Sequence, residues 1–264
     1  MNYPNLHPWK VNIQKAISIQ QKLRKKIILS DKLPKIKKIA GVDVAFSDDE
    51  AIAAVCIFKY PELNLIEAVK ARKKISFPYV PGLLTFREGP AVLSAFRKLQ
   101  NKPDLVLFDG QGICHPRRMG IATHMGIILD IPSIGCAKSH LYGIYKMPAK
   151  NKGVFSYIYP QTKTFGVGAY DKNTRETVGA VLRTRSQVKP IFVSCGYKIS
   201  LKKAIGLVLE LCPKYRIPQP LRLAHSIAEE FKTMLGDTLP IGSKGVPRLG
   251  QRVSLKDGER ELSI

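Results

Sequence analysis

Three β-prone runs follow one another between residues 39 and 75, and short apolar runs then alternate with helical stretches. In Ile39 to Phe46, Val42, Val44 and Phe46 alternate with Gly41, Asp43 and Ala45, the period-two pattern of a strand. Ala51 to Tyr60 is a second apolar run, and Ser47-Asp48-Asp49-Glu50 between the two has hairpin-turn composition. Leu65 to Ile75 completes a meander. Beyond it, Asp104 to Phe108 and Ile134 to Ala137 are short, buried-type strands, and 164–170, 177–184 and 190–194 read as three more. Helices are expected over 81–100, Met119 to Asp130, 200–211 and 220–234. The first should break near Gly89-Pro90, because proline cannot sit inside a regular helix. The pattern predicts an α/β fold, a mixed sheet of antiparallel meander and parallel strands with helices on both faces.

The chain has 264 residues and no internal repeat, and no obvious linker divides it before residue 236. One domain over 1–235 and a loosely held tail over 236–264 are expected. With 43 Lys+Arg against 20 Asp+Glu, the net charge of +23 calls for an anionic partner. Residues 1–40 hold ten of the basic residues and a single acid, Asp31. There Trp9, Ile13, Ala16, Ile17, Leu23 and Ile27 keep a helical spacing, so a basic helix with one apolar face is expected. Its lysines suit nucleic-acid phosphates, a membrane surface or plain solvation. The membrane reading ranks lower, because basic residues continue along the chain. No apolar run reaches the roughly 18 residues a membrane helix needs, and no secretory signal is expected at the N-terminus. Five cysteines, never spaced C-x-x-C, fit the reducing cytoplasm.

Several side chains carry possible chemistry. Asp43 stands mid-strand, where a carboxylate is costly to bury unless paired or bound to a metal; the alternative is an exposed face or an ion pair with a lysine. Asp109 ends a buried strand and opens Asp109-Gly110-Gln111-Gly112, and ligands gather at the carboxyl ends of strands in α/β sheets. It could equally be a turn aspartate. Glu88 precedes the expected helix break, where a side chain can be aimed inward, although an ordinary exposed glutamate has the same signature. Three carboxylates from separate elements would make an oxygen-rich Mg²⁺ or Mn²⁺ site, and beside basic residues such a site suggests phosphodiester hydrolysis. His115-Pro116-Arg117-Arg118 offers guanidinium forks for phosphates, or merely solvated arginines. Lys138 directly follows a strand and shares the end of Asp109 if the two strands are parallel. His225 lies on a late amphipathic helix, with a structural role equally open.

In these segments the sequence resembles the endonuclease V family. The matching stretches are Gly41-Val42-Asp43-Val44, Pro78-Tyr79-Val80-Pro81-Gly82 with Phe86-Arg87-Glu88, Asp109-Gly110-Gln111-Gly112 with His115-Pro116-Arg117-Arg118, Ile134-Gly135-Cys136-Ala137-Lys138 and, later, Leu223-Ala224-His225. Each is weak alone; their ordered combination is specific. The resemblance implies a ribonuclease H-like fold. It implies Mg²⁺-dependent DNA repair cleavage, with Mn²⁺ as a substitute, at the second phosphodiester 3′ to deoxyinosine, leaving 3′-hydroxyl and 5′-phosphate ends. Asp43, Glu88 and Asp109 match the family's acidic site, Lys138 and His225 its accessory positions, and Tyr79 its wedge tyrosine. Pro78 and Pro81 would stiffen that wedge.

A base pocket that tells hypoxanthine from adenine needs close backbone contacts, for which Gly110, Gly112 and Gly120 are available. Leu84, Ile121 and Leu141 could supply apolar walls. The expected partner is inosine-containing DNA, with inosine-containing RNA or binding of distorted strands without cutting as alternatives. No membrane partner is expected, and the chain is expected to act as a monomer.

Overall fold

The computed structural model describes residues 3–30, 32–33, 35–161 and 176–236. Strands β1 (Lys38–Ser47) and β2 (Glu50–Lys59) pair antiparallel with Ser47 opposite Glu50. Asp48 turns the corner at φ 47°, a left-handed conformation that Asp tolerates better than most residues. β3 (Leu65–Lys74) pairs antiparallel with β2 and closes the meander. β4 (Leu105–Phe108) lies parallel to β1, and β5 (Ser133–Ala137) parallel to β4. β6 (Phe155–Ile158), β7 (Gly179–Leu182) and β8 (Ile191–Tyr197) complete the sheet: β8 pairs antiparallel with β5, β7 with β8, and β6 with β7. The strand order is β3-β2-β1-β4-β5-β8-β7-β6, a mixed sheet as expected.

Among the described residues five helices pack around it. On one face α2 (Leu84–Lys98) and α3 (Ile121–Leu129) cover Val42, Val106 and Phe108. On the other, α4 (Leu201–Glu210) and α5 (Gln219–Gly236) cover Ile39, Leu105 and Leu107 through Ala204, Val208 and Leu221. Successive β4 residues thus bury on opposite faces, which is why that strand is apolar throughout. α1 (Ile13–Arg24) packs Ala16, Ile19 and Leu23 onto Phe77, Phe86 and Met119. It starts later than the spacing suggested, because the Asn12 side chain caps it by accepting from the Lys15 amide at 2.8 Å. Trp9 precedes the helix and packs against Phe86 instead.

The helix break expected at Gly89-Pro90 does not occur; α2 runs through Pro90. An interior proline costs about 3 kcal/mol. Phe86, Val92 and Phe96, buried on both sides of it, each contribute about 1.5–3 kcal/mol of burial and offset that cost. β6 was not anticipated, although Phe155-Ser156-Tyr157-Ile158 alternates as a strand does. The strand expected at 164–170 and the tail beyond Gly236 lie outside the described residues. Among the described residues no helix is long and apolar enough to cross a membrane.

Candidate active site

Asp43 sits in β1 opposite Ala54, and its Oδ2 lies 2.7 Å from Nδ1 of His225 on α5. The approach of α5 depends on Gly41: a Cβ there would stand 2.2 Å from the carbonyl carbon of Pro220. Asp109 follows the last residue of β4, and its amide donates to the carbonyl of Val42 at 3.2 Å. That bond places it beside Asp43 across the parallel pair. Lys138 follows β5 in the same way, and its ammonium lies 2.7 Å from Asp109 Oδ2. The parallel pairing of β4 and β5 thus puts both side chains at one end of the sheet.

Glu88 is buried on the inner side of α2 rather than exposed. Burial raises its carboxyl well above the usual range, and the charges of Asp43 and Asp109 push it further, against Arg87. Burial likewise raises Asp109, opposed by Lys138 and reinforced by Asp43. The three carboxylates therefore share one electrostatic neighbourhood, as three oxygen donors for a hard divalent cation should. Among the described residues no group of three His, Cys, Asp or Glu stands as a formed metal cage. Protein partners engage two of the carboxylates instead, Asp43 with His225 and Asp109 with Lys138.

Beside them opens a cavity of about 350 Å³. Asp109 and Lys138 border it, Tyr79 and Pro81 line it from the loop before α2, and Leu84, Gly110, Gly120, Ile121 and Leu141 supply further wall. Tyr79 is 70% exposed, so it is no core tyrosine. Pro78 is not in this wall; it borders a separate hollow with Phe77. Gly112 is not in it either. A Cβ on Gly112 would stand 2.0 Å from the carbonyl oxygen of Cys195, and its amide donates to Ser194 Oγ. This glycine lets β8 approach the loop behind the cavity.

The Arg-rich segment is tied to protein rather than open to solvent. The Gly82 carbonyl accepts from Gln20 Nε2 at 3.0 Å and from Arg117 Nη2 at 2.8 Å, and His115 Nε2 lies 3.0 Å from it. Arg117 Nε also donates to Gln20 Oε1. Arg118 pairs with Glu176 at 3.1 Å. His115 is buried, and its Nδ1 accepts from the Arg117 amide. Burial, followed by the charge of Arg117, pushes its pKa down to about 4. A neutral, buried imidazole offers no charge to phosphate at neutral pH, and here it braces the Gly82 turn.

Three side chains escaped the sequence reading. Gln20 clamps the Tyr79 loop to the segment before α3 by donating also to the Met119 carbonyl; a glutamine on the apolar face of α1 was its signal. Gln111 lines the cavity and donates to the Ser139 carbonyl, and its place in Asp109-Gly110-Gln111-Gly112 pointed to it. Arg216 donates to the Lys138 carbonyl at 3.1 Å and so holds the backbone beneath that ammonium. Nothing in the sequence around Arg216 marks it.

Comparison with known proteins identifies the family. The family model for Endonuclease V matches residues 21–226. An Endonuclease V of Dictyoglomus turgidum is 48% identical over 212 residues, covering 80% of this chain and 87% of that relative. The crystal structure of a Bacillus subtilis Endonuclease V superposes with TM-score 0.81 at 32% identity, covering 90% of this chain and all of the other (100%). That of Ciona intestinalis Endonuclease V, in complex with a 24mer DNA containing an inosine followed by a ribo-adenosine, does so with TM-score 0.69 at 29% identity, covering 84% and 98%. The chain belongs to the endonuclease V family, nucleases that hydrolyse phosphodiester bonds.

Proposed function

We propose that this chain is a DNA repair endonuclease that takes a deoxyinosine into the cavity and nicks the strand at the second phosphodiester 3′ to it. The observation that carries the reading is the shared border of one cavity, lined by the exposed Tyr79 and by Asp109 and Lys138. Recognition and cutting then sit at a fixed distance, and a displaced nick follows from rigid geometry. The DNA in the Ciona complex supports the substrate class. An inosine pair is weaker than a normal pair, so extruding the base is cheaper. Tyr79, on its clamped loop, fills or stacks at the place the base leaves.

Asp43, Asp109 and Glu88 would hold Mg²⁺, with Mn²⁺ as a substitute. Their donor set fits: three carboxylates that burial and mutual repulsion disfavour as anions are what a bound dication offsets. When bound, the cation supplies Lewis acidity and counter-charge. Glu88 orients the attacking water, and Lys138 neutralises the scissile phosphate. Water adds to phosphorus and the 3′ oxygen leaves, giving 3′-hydroxyl and 5′-phosphate ends. His225 holds one oxygen of Asp43. The enzyme acts as a monomer in the cytoplasm, where its five buried cysteines, none in a disulfide, stay reduced. Residues 1–235 form the catalytic domain, with 236–264 as a C-terminal tail beyond it.

The test is nicking of duplex DNA with one deoxyinosine against an adenine control, with Mg²⁺ and with chelator. A metal-dependent nick 3′ of the lesion is expected, lost in Asp43→Ala and Asp109→Ala. Wild-type cleavage by either variant would overturn the site. The ribo-adenosine in the Ciona complex favours a second reading, inosine in RNA, which the same assay on an RNA oligonucleotide decides.

A further inference from the structure

The geometry points to a second nucleic-acid contact, a cleft at the β6 edge that holds unpaired nucleotides by stacking and by neutralising their backbone. The inference deepens the nucleic-acid reading of the cavity and rests on it. From Lys138 to Gln161 the chain carries lysines 138, 146, 150 and 152, tyrosines 142, 145, 157 and 159, and Phe155, but no Asp or Glu. Leu141, Met147, Val154, Phe155 and Tyr157 in this stretch are exposed, although a fold of this size has room to bury them.

Among the described residues β6 is an edge strand, and alternation puts Phe155 and Tyr157 on one face, with ring centroids 5.3 Å apart. Tyr145, Lys146, Ser156 and Tyr157 line a cleft of about 490 Å³. It is continuous with the base cavity along the backbone: Ser139 to Leu141 line the cavity, and Ile144 to Lys146 line the cleft. Six residues lie between Lys138 and Tyr145, a span of at most about 25 Å. The connecting turn is anchored by reciprocal backbone bonds of 2.9 Å between Ile144 and Tyr159.

Exposed aromatic faces take unpaired bases, which offer their own faces; a duplex would engage the lysines alone. Pairing of this edge with a second copy is disfavoured by a chain charge of +23, whereas a polyanion is attracted by it.

The experiment measures binding of labelled oligothymidylate, which contains no inosine, and of single strands that differ only by inosine or adenine. In Phe155→Ala/Tyr157→Ala, oligothymidylate should bind at least about tenfold more weakly. The ratio of affinities for inosine and adenine strands should not change. Lys146→Ala, which removes no aromatic packing, should lower the slope of log affinity against log salt by about 0.7. Three results would overturn the cleft: no binding of oligothymidylate by the wild type, unchanged binding by both variants, or a wild-type dimer that the double variant converts to monomer. Equal wild-type affinity for inosine and adenine strands, with the oligothymidylate losses intact, would instead sink the inosine reading and leave the cleft standing.

Discussion

His225 Nδ1 lies 2.7 Å from Oδ2 of Asp43, which joins the last described helix to the first strand across 182 residues of sequence. The contact holds one oxygen of a carboxylate set in the middle of the sheet. Removing the imidazole leaves Asp43 without that orientation. His225→Ala should therefore slow nicking by about 10–100-fold, the usual effect of losing a ligand's supporting hydrogen bond. Stability should fall by only about 1 kcal/mol. Single-turnover nicking and urea denaturation measure the two effects, and an unchanged nicking rate would remove His225 from the site.

Gly41 decides whether that contact forms. A methyl group there would overlap the Pro220 carbonyl and the Leu221 amide nitrogen, so α5 must move off β1. Gly41→Ala should destabilise the fold by about 1–3 kcal/mol. It should also slow nicking at least as much as His225→Ala, because the shift carries His225 away. Near wild-type melting and activity would show that α5 accommodates the methyl in place.

Tyr79 separates function from stability. At 70% exposure its ring packs little core. Tyr79→Ala should leave the melting curve within about 0.5 kcal/mol of wild type. It should raise KM or lower the rate on duplex inosine more than on single-stranded inosine, since only the duplex has a gap to fill. Equal losses on both substrates would argue against the wedge.

His115 makes the fold acid-labile. Its pKa in the folded chain is about 4, against an ordinary 6.5. A lowered histidine value means that the unfolded chain takes up the proton first. Its contribution is therefore present above about pH 6.5 and lost as pH falls towards 4. From about pH 7 to about pH 5 the loss should be about 2 kcal/mol. His7 and the fully buried His124, both lowered chiefly by burial, act in the same direction. Glu88 and Asp109, raised by burial, act in the opposite direction, so the difference is the measure: denaturant midpoints across this range should fall more for wild type than for His115→Gln. Parallel slopes would contradict the burial of His115.

Much of the architecture was legible because it is written in local periodicity. The β1–β2 hairpin, the strand at Leu105–Phe108 and the amphipathic α4 and α5 each follow from apolar spacing within a few residues. Pro90 misled for the same reason. A local rule breaks the helix there, whereas burial against a distant sheet keeps it whole. The short β6 carried its alternation in four residues, too few to stand out.

The candidate site divides along the same line. The chain by itself determined which residue types are present and at what spacing: a carboxylate in a strand, an Asp-Gly turn after another, a lysine after a third, and a Tyr between prolines. Those are properties of neighbours in sequence, where a few dihedrals set the outcome. Tertiary structure alone decided that Asp109 meets Lys138, that Asp43 meets His225, that Glu88 is buried between their charges, and that Arg117 and His115 brace the Gly82 turn. Such contacts depend on parallel strand pairing and helix packing between segments far apart in the chain. Their energies arise only once burial has removed the water that would otherwise screen and solvate these groups.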